Sequence, residues 1–311
     1  MDNRRKFLKT AGAFAAGSIL LPYGCAQREQ QENADAGMAE TVPADDKKVG
    51  LQLYTLRNEI QEQGLESVLR QVSEIGYTWM EGFGYENRKI LGMNPADLKS
   101  MLNGMGMNMP SVHSVTEVSS EGGKEAIIDQ MKTTAEDAIA VGAEFLVWAF
   151  LTEEDRQSLD DYKRHIETWN QFGQVCKEAG IQFAYHNHDF EFKDFNGTRP
   201  YDMIMEQTDP DLVKFELDLY WITKAGFDPV EYFSKAPGRF PLWHVKDMEP
   251  GEEKFFAEVG EGTINFKRIF DARDTAGLKY FFVEQDQSRR SPFESIRMSY
   301  NFIQEADFVS S

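Results

Sequence analysis

The stretch W-N-Q-F-G-Q-V-C-K-E-A-G-I-Q-F-A-Y-H-N-H, residues 169–188, contains one complete unit of the fold. Trp169 to Glu178 carries a helical pattern with Cys176 inside it. Gly180 follows, a residue that accepts the left-handed conformation at which helices end. Ile181 to His188 is then rich in β-formers and closes on His186 and His188, two apart and so directed the same way by a strand.

Working outward, the unit repeats. Further β-rich segments start near Val49, Tyr77, Met109, Glu144, Leu212, Phe240 and Lys279, each followed by a helical pattern. The starts recur at intervals of roughly 28 to 39 residues, close to the ~31 expected when about 250 residues are shared by eight βα units. Gly76, Gly106, Gly142 and Gly277 punctuate the other helix ends in the same register. This predicts a single closed (β/α)8 barrel, of the TIM type, over residues 49–311. A doubly wound open sheet would need a glycine-rich phosphate loop after its first strand, and L-Q-L-Y-T-L-R (residues 51–57) has no glycine.

The chain has 311 residues, with 52 Asp plus Glu against 33 Lys plus Arg and a formal charge of −19. Such a surface repels polyanions, which excludes nucleic acid as a partner. Its two cysteines, Cys25 and Cys176, supply neither a disulfide framework nor a thiolate zinc cluster, so a metal would need His, Asp or Glu. Asn3 to Lys9 reads N-R-R-K-F-L-K ahead of an apolar stretch from Ala11 to Leu21, the pattern of a twin-arginine export signal. The expectation is a signal over residues 1–26, a polar tether over 27–48 and a periplasmic location. Cys25 is either a lipid-anchor acceptor or part of a cleavage site at Gly24-Cys25-Ala26. The oligomeric state stays open, a homodimer being compatible.

In a βα barrel, chemistry gathers at the C-terminal strand ends. Those ends carry Glu81, His113, His186 with His188, Glu216 with Asp218, His244 with Lys246, and Glu284 with Asp286, including four of the five histidines. His186, Asp218, His244 and Glu284 come one from each of the last four predicted strands, which can direct them at one point. Two imidazoles and two carboxylates suit one divalent ion, Mn²⁺, Zn²⁺, Co²⁺ or Fe²⁺ rather than Mg²⁺.

The segments L-Q-L-Y-T-L-R, Y-H-N-H-D-F-E-F, F-E-L-D-L-Y-W, W-H-V-K-D and F-V-E-Q-D, spread over Val49 to Phe302, resemble the xylose-isomerase-like barrel family of sugar phosphate isomerases and epimerases. The resemblance implies a metal held by Glu, Asp, His and Glu, which carries over directly to Asp218, His244 and Glu284. The first glutamate falls on His186. A two-base epimerase needs a base on each face of its substrate, and this departure removes one.

The resemblance implies a divalent-metal-dependent isomerase or epimerase that removes a proton next to the carbonyl of a small carbohydrate, through an enediolate. The alternatives are a lyase or hydratase of keto-sugars or 3-keto-glycosides by β-elimination, and a non-catalytic periplasmic sugar-binding lipoprotein. Glu284 is the expected base and Lys246 the holder of an oxyanion. His188 and His113 are expected acids or donors to substrate. Glu81, His113, Glu216 and Trp221 are expected to contact the sugar, with Tyr54, Trp79, Trp148 and Trp243 as further aromatic walls.

Overall fold

The computed structural model describes residues 47–114 and 123–309, the side chains of 123–125 excepted. The export signal, Cys25 and nearly all of the tether lie outside the described residues.

Eight parallel strands close into a barrel: β1 (Gly50–Gln52), β2 (Trp79–Gly82), β3 (Asn108–Ser114), β4 (Phe145–Trp148), β5 (Gln182–His186), β6 (Val213–Asp218), β7 (Leu242–Val245) and β10 (Tyr280–Val283). Each neighbours the next in sequence around the ring, and β10 closes onto β1. All eight coincide with the segments expected from sequence. One pair was not anticipated: β8 (Asp247–Met248) and β9 (Phe256–Ala257) form an antiparallel hairpin after β7. Asp247 holds it, its carboxylate accepting backbone N–H bonds from Met248, Gly260, Gly262 and Ile264.

Apart from a register shift between β2 and β3, after Trp79 pairs with Asn108, the strands alternate. Phe183, Tyr185, Leu217, Trp243 and Val245 point outward into the main core, whereas Phe145, Val147, Ala184, Leu242 and Phe282 point inward and fill the floor of the barrel. Leu159–Ala179 shows how a helix is set against that surface. Ser158 and Asp161 form a capping box at its start, Trp169, Phe172 and Cys176 are buried, and Gly180 ends it at φ +89°. Gly76 is equally constrained, at φ +117° and with the Tyr300 ring where a Cβ would stand. Cys176 is a free, buried core thiol. No helix among the described residues is long and apolar enough to cross a membrane.

Candidate metal centre and active site

Above the apolar floor, the parallel register sets polar residues side by side inside the barrel. Gln52 pairs with Glu81, Glu81 with Ser111, His186 with Glu216, and Asp218 with His244. Glu81 accepts from Gln52 Nε2 at 2.8 Å, Ser111 Oγ at 2.5 Å and His244 Nε2 at 2.5 Å. Glu216 Oε2 lies 2.5 Å from His113 Nε2 and 3.2 Å from His186 Nδ1. Both glutamates are fully buried. Expected from sequence to contact the sugar, Glu81 and Glu216 instead lie against the imidazoles of His113, His186 and His244 and are absent from the lining of the cavity at the barrel mouth.

A second layer sits one residue pair nearer the mouth. His244 Nδ1 lies 2.7 Å from Glu284 Oε2 and 3.8 Å from Asp218 Oδ2, and His186 Nε2 lies 3.8 Å from the same Asp218 oxygen. Asp218 Oδ1 is engaged, accepting the Trp221 N–H at 2.9 Å, while the Asp218 N–H donates to Asn187 Oδ1. Asp218 Oδ2 and His244 Nδ1 are buried and make no aligned hydrogen bond despite these short separations. Buried donor atoms that converge at such separations are what a shared third centre requires, and Asp218 Oδ2 is meanwhile held by the Lys246 ammonium 2.9 Å away. Glu81 accepting from His244 Nε2–H turns Nδ1 toward Asp218 and Glu284; burial works against charge on this imidazole, but Glu216, Glu284 and Glu81 outweigh it and hold it well above its usual range, so an ion bound there would take the place of the Nδ1 proton, as in carboxylate–histidine–metal arrangements.

The donor set therefore fits a divalent ion. Among the described residues, two groupings place ligand atoms within 4.8 Å of one another: Asp218, His244 and Glu284, and a deeper one of His113, His186, Glu216 and His244. The expected quartet is divided between them, His186 reaching the outer group through its 3.8 Å approach to Asp218.

Lys246 stands beside the outer group. Its Nζ lies 2.6 Å from Glu284 Oε2, 2.9 Å from Asp218 Oδ2 and 2.8 Å from Asp286 Oδ2. Burial works against its charge, but these three carboxylates outweigh burial and hold the lysine well above its usual range. Burial likewise favours the neutral acid at Glu284, yet Lys246 and His244 hold that carboxyl well below the usual range. Burial, with the Lys246 charge, pushes His188 down to about 3. His113 is pushed down to about 4, chiefly by burial. Both are then neutral imidazoles near pH 7, His113 with its Nε2 engaged by Glu216 Oε2.

These groups open into a cavity of about 460 Å³ lined by Tyr54, Phe83, Phe150, His113, His186, His188, Lys246, Glu284 and Asp286 among others. Of the aromatics expected there, Tyr54 lines it. Trp221 stands behind His188, ring centroids 5.6 Å apart, and against Phe256 of the hairpin. Trp148 and Trp243 occupy outward strand positions and pack on Phe172 and Phe233. Trp79 lies at the opposite end of the barrel, edge-on to Tyr280. Gln52, Ser111 and Asn187 were missed. The parity of Gln52 with Tyr54 and of Ser111 with His113 is the only signal they give in sequence.

The comparisons with known proteins agree with this architecture. The chain is 30% identical over 159 residues to the inosose dehydratase of Geobacillus thermodenitrificans, an alignment covering 45% of this chain and 53% of that protein. The chain thus spans about half the length of that relative. Two crystal structures of sugar phosphate isomerase/epimerase proteins from Parabacteroides distasonis superpose with TM-scores of 0.75 and 0.74 at 31% and 30% identity. They cover 88% and 85% of this chain, and 99% and 100% of theirs. The family profile of the xylose isomerase-like TIM barrel matches residues 69–305, and with the closed barrel and these relatives it shows that the chain belongs to the xylose isomerase-like TIM barrel family.

Proposed function

We propose that this protein is a divalent-metal-dependent carbon–oxygen lyase, of the dehydratase or hydratase kind, acting on a keto-sugar or keto-glycoside. One observation carries the reading. The carboxylates that line the cavity are Glu284 and Asp286, both just after β10, with Asp218 of β6 buried behind Lys246, while β5 presents the imidazole of His186. Proton removal from one face followed by loss of a neighbouring oxygen substituent needs one carboxylate base; inversion at carbon needs two. The inosose dehydratase relatives support the same reading.

His186, Asp218, His244 and Glu284 would hold the ion, which when bound would polarise the substrate carbonyl and acidify the adjacent C–H. Glu284 takes the proton. Lys246 and His244 keep Glu284 in the ionised form that a base requires. As Glu284 is neutralised, the Lys246 ammonium keeps Asp218 and Asp286 and turns part of its field on the developing oxyanion. Neutral His188 offers an N–H to the departing oxygen. Glu81 and Glu216 keep the metal-facing imidazoles in register.

The test incubates the full chain with a 3-keto-glucoside in deuterated water. Elimination releases the aglycone and leaves an unsaturated keto-sugar. The Parabacteroides relatives favour a second reading, isomerase or epimerase; recovery of intact, deuterated isomer would select it. Neither release nor exchange would leave a non-catalytic sugar-binding protein. Periplasmic export is part of the proposal and rests on Arg4, Arg5 and the apolar stretch behind them. Replacing both arginines by lysine should retain precursor in the cytoplasm, and unchanged export would reject the twin-arginine route.

A further inference from the structure

The cavity has a second character that the chemistry above does not use. Among the described residues three large apolar side chains are exposed, Tyr54 at 41%, Phe150 at 40% and Ile139 at 37%, and the first two rim this one cavity. Neither is loose. The Tyr54 N–H donates to Gln52 Oε1, its ring stands edge-on to Phe83 at 5.3 Å, and the Arg57 guanidinium lies 4.3 Å over it while donating to the Tyr54 carbonyl. Phe150 packs edge-on to His188 at 5.1 Å and Phe190 at 5.8 Å, and its carbonyl accepts from Trp148 Nε1. Exposed aromatics held by such contacts are preorganised to be covered by something flat and apolar.

Charge narrows what that can be. Lys246 is the one cation among the described residues that line the cavity, and it is buried with its charge engaged by three carboxylates. A phosphate dianion would meet Asp286 and Glu284, and the Arg57 guanidinium at the rim is already laid on the Tyr54 ring and bonded to the Tyr54 and Asp286 carbonyls.

Resting on the proposed carbonyl chemistry, we infer that Tyr54, Phe83 and Phe150 form a subsite for a second, uncharged ring, so that the substrate is an unphosphorylated glycoside whose leaving group stacks on this rim. The reacting sugar lies toward His186 and Glu284, and the glycosidic substituent lies toward β1, β2 and β4. An aryl group and a second sugar ring share the required flat apolar face.

Calorimetry on the full-length protein as isolated tests this with phenyl and methyl glucopyranosides of both anomers, cellobiose, maltose and glucose 6-phosphate. The expected result is phenyl glucoside or one disaccharide binding about tenfold tighter than methyl glucoside, with glucose 6-phosphate weakest. The larger ratio identifies the ring as aryl or sugar. In a Tyr54→Ala, Phe150→Ala double variant the ratio should fall to near one; a ratio cancels any general loss of folded protein. A wild-type ratio near one, no measurable binding, a ratio that survives the double variant, or tighter binding of glucose 6-phosphate overturns the subsite. Failure of deuterium exchange with an intact ratio would instead overturn the lyase reading and leave the subsite standing.

Discussion

Two arcs of the same barrel mouth differ in what they present. The arc from β5, β6, β7 and β10 brings His186, His188, Asp218, Lys246, Glu284 and Asp286 together, with ionic separations of 2.6 to 3.8 Å. The arc from β1, β2 and β4 brings Tyr54, Phe83 and Phe150, with the Arg57 guanidinium laid on the Tyr54 ring and no carboxylate among the lining residues. Charged groups inside a barrel must be paired or ligate something, so the first arc is densely cross-linked and deep. Aromatic rings tolerate partial exposure, so the second arc stays open. On the proposed reading, the division separates where bonds change from where a substrate is recognised.

The largest expected effect breaks or sustains that division directly. Glu284→Gln should lower turnover by roughly 10² to 10⁴ if it removes general-base work, and should abolish exchange of the substrate's α-proton with deuterated water. Retained exchange would move the base elsewhere. His244→Ala and Asp218→Asn should lose the bound ion altogether by elemental analysis, and full occupancy in both would reject the metal centre.

Glu191 sharpens the comparison from behind the charged arc. It is buried, accepts from Tyr185 Oη at 2.5 Å and the His188 N–H at 2.9 Å, and burial pushes its carboxyl up to about 7. Because the folded protein binds this proton more tightly than the unfolded chain, stability is full below the unfolded carboxyl pKa. It declines as pH rises from about 4.5 to about 7, by about 3 kcal/mol in order of magnitude. Glu191→Gln should flatten that decline in denaturant titrations across this range; an unchanged slope would mean that another group titrates.

Glu81→Gln is expected to weaken metal affinity by roughly 10- to 100-fold, the usual cost of losing an orienting carboxylate behind a histidine ligand. Ion retention as tight as in the unaltered protein would show that Glu81 does not set the His244 tautomer. Smallest of all, Phe150→Ala alone should reduce binding of phenyl glucoside by roughly three- to tenfold, within the range for one aromatic contact. If it instead matched Glu284→Gln in its effect on turnover, the two arcs would not be functionally distinct.

The barrel was legible because strands repeat eight times and αL glycines precede five of them, local properties in which each repeat constrains the others. Asp218, His244 and Glu284 were legible as strand-end residues for the same reason. The β8–β9 hairpin was not, because its pairing depends on one aspartate collecting N–H groups from as far as Ile264. What the sequence by itself determined is which faces of which strands point into the barrel, since alternation follows from backbone geometry alone. What the tertiary structure decided is depth. Glu81 and Glu284 share a parity and a chemistry, yet one is sealed beneath two imidazoles and the other faces the cavity. Trp148 and Phe150, two residues apart, likewise end up in the core and at the rim. Depth depends on strand stagger and on what the neighbouring strands place at the same level, which no single segment encodes.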